Sequence, residues 1–263
     1  MKQMFLSTGK EFKEIETFEP GAWIHLVNPS QEEALKVAER FNIDIQDLRA
    51  PLDVEETSRI DVEDDYTLIL VDIPTQEERN NKSYYVTIPL GIIVTDEVVV
   101  TTCLENISLM DDFLNHRVRN FYTFMKTRFV FQILYRNAQL YLTALRSIDR
   151  QNDKLEAQLE NSTKNEHLID MMELEKSIVY LKASLKMNER IVKKLTGNAS
   201  SLKKYIEDED LLEDTLVETQ QAIEMAGIYE NVLNAMTETS ASIINNNQNT
   251  IMKTLALMTM ALD

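Results

Sequence analysis

All five prolines of the chain (Pro20, Pro29, Pro51, Pro74 and Pro89) fall within its first 89 residues. From about residue 108 onward there is none, and only Gly197 and Gly227 interrupt long runs of helix formers. Proline removes a backbone donor and clashes with the preceding turn, so its absence over some 155 residues permits very long helices. The chain therefore reads as a mixed α/β head followed by a helical body.

Three helices are expected in the body. The first runs from about Leu109 to Glu160, with Phe131, Leu134, Ala138, Tyr141, Leu145 and Ile148 spaced three and four apart. The second, about Glu166 to Thr196, repeats Leu168, Met171, Ile178, Leu181, Leu185, Ile191 and Leu195, and Gly197-Asn198 supplies its stop. The third starts near Ser200 or Ser201 and continues to the end. This alternation is the seam of helices packed side by side. A 60-residue helix extends roughly 90 Å, so it needs its own hairpin or other subunits beside it.

In the head, Ser30-Gln31-Glu32-Glu33 after Asn28-Pro29 forms a capping box that opens a helix with Ala34, Leu35, Ala38 and Phe41 at helical spacing. A short second helix is expected from Asp44 to just before Pro51. Strand patterns follow at Tyr66–Ile73, Tyr84–Val94 and Val98–Cys103, the last two joined by a turn at Thr95-Asp96-Glu97, and Trp23–Val27 reads as a further strand.

Charge and rare residues exclude whole classes of function. The glycines are too scattered for a P-loop or a dinucleotide fingerprint. A net charge of −17 repels a phosphate backbone and attracts cations, so nucleic acid is not an expected partner. One cysteine, Cys103, allows neither an internal disulfide nor CxxC zinc chemistry. His25, His116 and His167 are far apart and form no ligand spacing, so they read as packing or surface residues. With no nucleophile–base constellation, the sequence does not read as an enzyme.

Charge vanishes toward the C-terminus: between Thr239 and Leu262 the only charged residue is Lys253. An Asn-rich stretch (Asn245, Asn246, Asn247, Asn249) precedes an apolar run of about a dozen residues, short of the roughly 20 that span a bilayer. Composition leaves two readings open, a buried amphipathic end or the first turns of a membrane helix.

The stretch 249–262 (NTIMKTLALMTMAL) resembles the entry into the first transmembrane helix of the CorA-type divalent metal-ion channels. So do Phe41-Asn42-Ile43, Leu52-Asp53, Ser58-Arg59-Ile60, Asp64-Asp65-Tyr66 and the run Ile92–Val100 of the head. The likeness covers essentially the whole chain, but the family's Tyr-Gly-Met-Asn signature is absent and would lie beyond Asp263. The resemblance implies an α+β, funnel-type subunit: a small N-terminal α/β head (1–107), a long antiparallel helical pair (108–198) and a long stalk helix (199–263). It further implies a homopentamer in the cell membrane, anchored by C-terminal helices absent from this chain, with this part on the cytoplasmic side. Its ion is Mg²⁺, with Co²⁺ or Ni²⁺ as alternatives, sensed by carboxylates between neighbouring subunits that hold the channel closed.

The expected sensor lies in an acidic run, Glu207, Asp208, Glu209, Asp210, Glu213, Asp214 and Glu218, seven acids in twelve residues with no base between them. A solvated helix face is the bland alternative. Mg²⁺ takes oxygen ligands and keeps several waters, so one or two carboxylates per subunit suffice. Asp210 and Asp214, four apart, share a face. Counted back from Met252, Asp214 falls at the family's stalk sensor acid, with Asp208 and Asp210 beside it and Glu77 or Glu78 as its implied partner. A second acidic group (Asp53, Glu55, Glu56, Asp61, Glu63, Asp64, Asp65) reads mainly as turn and cap residues, with an accessory ion site as the alternative. Asn249, Met252 and Leu255 share one helical face and match the family's pore lining, where apolar positions gate by dewetting. The competing function is a soluble acidic coiled-coil scaffold or adaptor with no transport role.

Overall fold

The computed structural model describes residues 1–9, 11–79, 82–159, 165–197, 202 and 206–262, with backbone only at 159, 165–166, 206–207, 243–251 and 255–262. Seven strands form one mixed sheet in the order β2-β1-β3-β7-β6-β5-β4. The strands are β1 Lys2–Thr8, β2 Glu11–Glu14, β3 Trp23–Val27, β4 Arg59–Val62, β5 Tyr66–Arg79, β6 Lys82–Thr95 and β7 Val99–Cys103. Only the β3–β7 pairing is parallel among those described; the other neighbours are antiparallel.

The capping box forms. In α1 (Gln31–Phe41) the Ser30 hydroxyl accepts from the Glu33 amide at 3.2 Å, and the Glu33 carboxylate accepts from the Ser30 amide at 2.9 Å. Asn42 ends the helix in the left-handed region. The Asp44 side chain caps α2 (Ile45–Arg49), as its position before the helix requires. The turn at Thr95-Asp96-Glu97 also forms, its Thr95 hydroxyl accepting from the Glu97 and Val98 amides.

β5 and β6 pair along fourteen residues each, much further than the alternation suggested. Pro74 and Pro89 both lie within them. Each stands beyond the stretch paired to its other neighbour, 67–70 with β4 and 90–94 with β7, where a missing N–H forfeits no second ladder bond. The freed half of this hairpin leaves the sheet and packs along the helices, carrying Tyr84 and Tyr85 into their core.

The body differs from expectation in one place. The first helix is not continuous from Leu109: α3 covers Ser108–Leu114 and α4 covers Lys126–Leu159. His116 and Asn120 between them adopt left-handed conformations, φ 56° and 53°. The break lets Phe121 turn inward against Phe113, Phe129 and Trp23, with ring centroids 4.7–6.1 Å away. Helix α5 covers Asn165–Thr196 and α6 covers Ile206–Leu262; the expected start at Ser200 or Ser201 lies outside the described residues. The 57 residues of α6 measure about 85 Å at 1.5 Å per residue.

One face of the sheet buries Trp23, Ile69, Val71 and Ile92 against α3–α6, and the other buries Ile24, Leu26, Leu68 and Leu70 against α1 and α2. Polar bonds fix the hairpin to the body. The Asp72 amide donates to Asn188 Oδ1 at 3.1 Å, and its carbonyl accepts from Asn188 Nδ2 at 2.8 Å, Asn137 Nδ2 at 2.9 Å and the Tyr141 hydroxyl at 3.1 Å. Such buried backbone groups need partners, and here two helices supply them.

At the centre of the head, Trp23 Nε1 donates to Thr101 Oγ1 at 2.7 Å, and Thr101 Oγ1 lies 2.9 Å from His25 Nδ1. Burial, helped by the N-terminal charge, lowers the His25 pKa to about 4. Below pH 6.5 the unfolded chain takes up a proton that the folded chain refuses. Folding stability should therefore fall from pH 6.5 toward pH 4, by about 2–3 kcal/mol at pH 4.5. Urea titrations should show this loss in the wild type and a smaller one in His25→Gln.

Candidate functional site

The acidic run occupies the first turns of α6, where its members face different surroundings. Asp208 is 3% exposed and accepts from Arg128 Nη1 of α4 at 3.0 Å. Its carboxylate is already neutralised by a guanidinium, which removes it from the set available to an ion. Glu209, Asp210, Glu213 and Asp214 are exposed, and Glu218 is half-buried. Glu207 lies in the helix with its side chain outside the description. The helix places Asp210 and Asp214 one turn apart on one face, with Leu212 and Thr215 turned into the core. The two exposed carboxylates thus form a small anionic surface on the outer side of α6, whose inner side packs through Leu212 and Thr215.

Glu77 and Glu78 lie near the far tip of β5. The Glu77 carboxylate meets Arg79 Nη2 at 2.6 Å, which lowers its pKa; Glu78 is exposed. Arg79 also reaches Glu173 of α5 at 3.1 Å. Helices α5 and α6 run antiparallel, with Gln220 bonded to Glu189, Lys182 to Glu230, and Ser240 next to Met171. In that register Glu173 stands opposite about residue 238 of α6, some 24 residues beyond Asp214, or roughly 35 Å along the helix. The chain does not bring Glu77 or Glu78 to Asp214.

Among the described residues no three His, Cys, Asp or Glu side chains gather as a metal site. Asp210 and Asp214 suit Mg²⁺ in donor type, being hard oxygens, but any closed shell must add water and carboxylates from elsewhere. The second acidic group is partly occupied: Arg59 pairs with Glu56 and, at 2.5 Å, with Asp61. His25 is buried, His116 is exposed in the loop before α4, and His167 lies near the start of α5. Cys103 is fully buried, and burial raises its thiol to about 12.

At the other end of α6 the helix continues through the charge-poor segment to Leu262. Met252 is 72% exposed, and Lys253 and Thr254 are exposed; the side chains of Asn249 and Leu255 lie outside the described part. Among the described residues, no helix is long and apolar enough to cross a membrane.

The chain matches the family model described as "CorA-like Mg2+ transporter protein" over residues 19–262. It is 27% identical over 251 residues to the cobalt/magnesium transport protein CorA of Methanocaldococcus jannaschii, covering 90% of this chain and 74% of that protein. The complete structure of the CorA magnesium transporter from the same organism superposes with a TM-score of 0.84 at 23% identity, covering 99% of this chain and 82% of that one. The structure of that protein's soluble domain gives 0.80 at 22% identity, with 92% and 97% covered. At these identities the superpositions establish the shared α+β architecture with its long stalk.

Proposed function

The chain belongs to the family of CorA-like Mg²⁺ transporter proteins, and from this we propose that it is the cation-sensing part of a membrane channel for Mg²⁺, with Co²⁺ or Ni²⁺ as further cargo. In this reading it lies on the cytoplasmic side of the cell membrane and works as a homopentamer. The observation that carries the proposal is the single helix α6, which joins an exposed pair of carboxylates, Asp210 and Asp214, to the charge-poor segment ending at Leu262. One rigid element can thus transmit a change at the acids to the pore segment.

The mechanism is linkage. In a ring, symmetry sets every subunit's Asp210 and Asp214 at one height, and the unscreened carboxylates repel. Hydrated Mg²⁺ between neighbours relieves that repulsion and stabilises the packed, closed ring by its greater affinity for it. Loss of the ion lets the stalks separate. Asn249, Met252 and Leu255 share a helical face, which would line the axis, with the apolar pair as a dewetting gate. Glu77 and Glu78 have no part in this version, because the fold sets them far from Asp214.

A site of millimolar affinity stabilises the folded chain by about 1.4 kcal/mol at 10 mM Mg²⁺, or roughly 3–6 °C in melting temperature. Melting curves should show that shift over Na⁺ at matched ionic strength in the wild type, and its loss in Asp210→Asn/Asp214→Asn. An acidic scaffold would respond to both salts alike through screening. Identical shifts with the two salts, or an unchanged Mg²⁺ shift in the double variant, would rule out the sensor.

A further inference from the structure

We propose that the two sides of the head dock on each other between neighbouring copies of this chain, the basic loop 115–125 of one against the acidic β4 side of the next. The inference rests on the ring reading above and names the contact that would build it.

The basic side is formed by the loop between α3 and α4. From residue 113 to residue 148 the chain carries Arg117, Arg119, Lys126, Arg128, Arg136 and Arg146 and no acid, within a protein of net charge −17. Arg117 is 66% exposed in its side chain, although 3.6 Å from Asp112. Arg119 is exposed and forms no ion pair among the described residues. Phe124 and Met125 add an apolar spot, 46% and 43% exposed. The loop is held firmly: Ser7 and Thr123 exchange bonds of 2.9 and 3.1 Å, and Gln132 donates to the Arg119 carbonyl at 3.0 Å.

The acidic side begins at the other edge strand. Residues 53–65 carry seven acids and one base, Arg59, already paired with Glu56 and Asp61. Glu63, Asp64 and Asp65 are exposed in the β4–β5 turn, and Val54 and Val62 expose apolar surface at 56% and 58%. A cleft of about 530 Å³ opens here, lined by Asp47, Asp53 and Glu56 as well as Arg49 and Arg59. Each side therefore offers an apolar spot flanked by charge, opposite in sign to the other.

Their placement suits a ring. Loop 115–125 bonds to the end of β1, and the acidic turn precedes β5; the sheet register puts both at the same end of the strands. They stand on opposite sides of a seven-stranded sheet, five strand spacings or about 24 Å apart between β1 and β4. Two unlike patches at one level on opposite sides make a head-to-tail contact, which closes into a ring when the rotation allows. A bare sheet edge is also protected by such docking.

Sedimentation velocity of the 263-residue chain in Mg²⁺, at rising NaCl, tests the contact. Arg117→Glu/Arg119→Glu and Glu63→Lys/Asp64→Lys should each weaken self-association at least tenfold while melting like the wild type. The chain carrying all four changes should recover to within about threefold. If both pairs leave association unchanged, or if the fourfold variant is weaker than either, edge docking is overturned, and the ring then rests on other contacts. A wild type that stays monomeric throughout overturns the ring reading and this contact with it. If the pairs abolish capture of an acidic peptide but not self-association, the occupant is another protein and the proposal fails.

Discussion

Asp208→Ala is expected to destabilise the folded chain by about 3 kcal/mol or more, although the residue sits in a run of exposed acids. Its side chain is 5% exposed and holds the Arg128 guanidinium, whose side chain is 23% exposed, at 3.0 Å. Removing one partner of a buried pair leaves the other charge desolvated, a loss of about 3–5 kcal/mol. Asp210→Ala, two residues further on and exposed, should stay within about 0.5 kcal/mol. The loss at Asp208 should also persist in high salt, because burial shields the pair from counterions. Urea melts of the two variants at low and high NaCl check this. Asp208→Ala should keep the Mg²⁺-specific shift, since its side chain is not offered to the ion. An Asp208→Ala variant as stable as Asp210→Ala would show that the pair does not form.

Trp23→Ala is expected to cost about 3–5 kcal/mol. The indole is fully buried and packs with Phe5, Phe113, Phe121 and Phe129 at centroid separations of 5.1–6.4 Å. Alanine leaves a cavity and also strips the Thr101 hydroxyl of its indole donor. A domain is stable by only about 5–15 kcal/mol, so this one change removes a large share. Because Phe113, Phe121 and Phe129 flank the helix break, the variant should also loosen the loop at 115–125 and raise its proteolysis. Urea denaturation followed by circular dichroism, with Trp23→Phe as the milder comparison, measures the loss. A cost under about 1 kcal/mol would place the head's core elsewhere.

What could be read from the sequence was local. The capping box at Ser30 and the cap at Asp44 are short-range devices whose partners lie within three residues, and both form. The long helices follow from the missing prolines. The break before α4 was not legible, because neither Gly nor Pro marks it. His116 and Asn120 take the left-handed region at modest strain, and the aromatic cluster that stabilises the turn is assembled across the sheet. The short strands β1, β2 and β4 also escaped, since their pairing depends on distant partners.

The candidate site shows the same limit. Helical spacing alone sets Asp210 and Asp214 on one face. It could not show that Asp208 turns inward, because its partner Arg128 is 80 residues away in sequence. Nor could it show that Glu77 stands far up the stalk, since that follows from the β5–β6 hairpin leaving the sheet and from the α5–α6 register. Charge density drew attention to this run, and tertiary packing sets which of its acids are exposed.

The central claim is that a divalent ion holds neighbouring subunits together through the stalk acids. The most direct measurement is the mass distribution of the wild-type chain in 10 mM Mg²⁺ and in chelator, at equal ionic strength. The expected result is a shift toward a single closed oligomer with Mg²⁺, weakened in Asp210→Asn/Asp214→Asn. The same distribution in both conditions would contradict it.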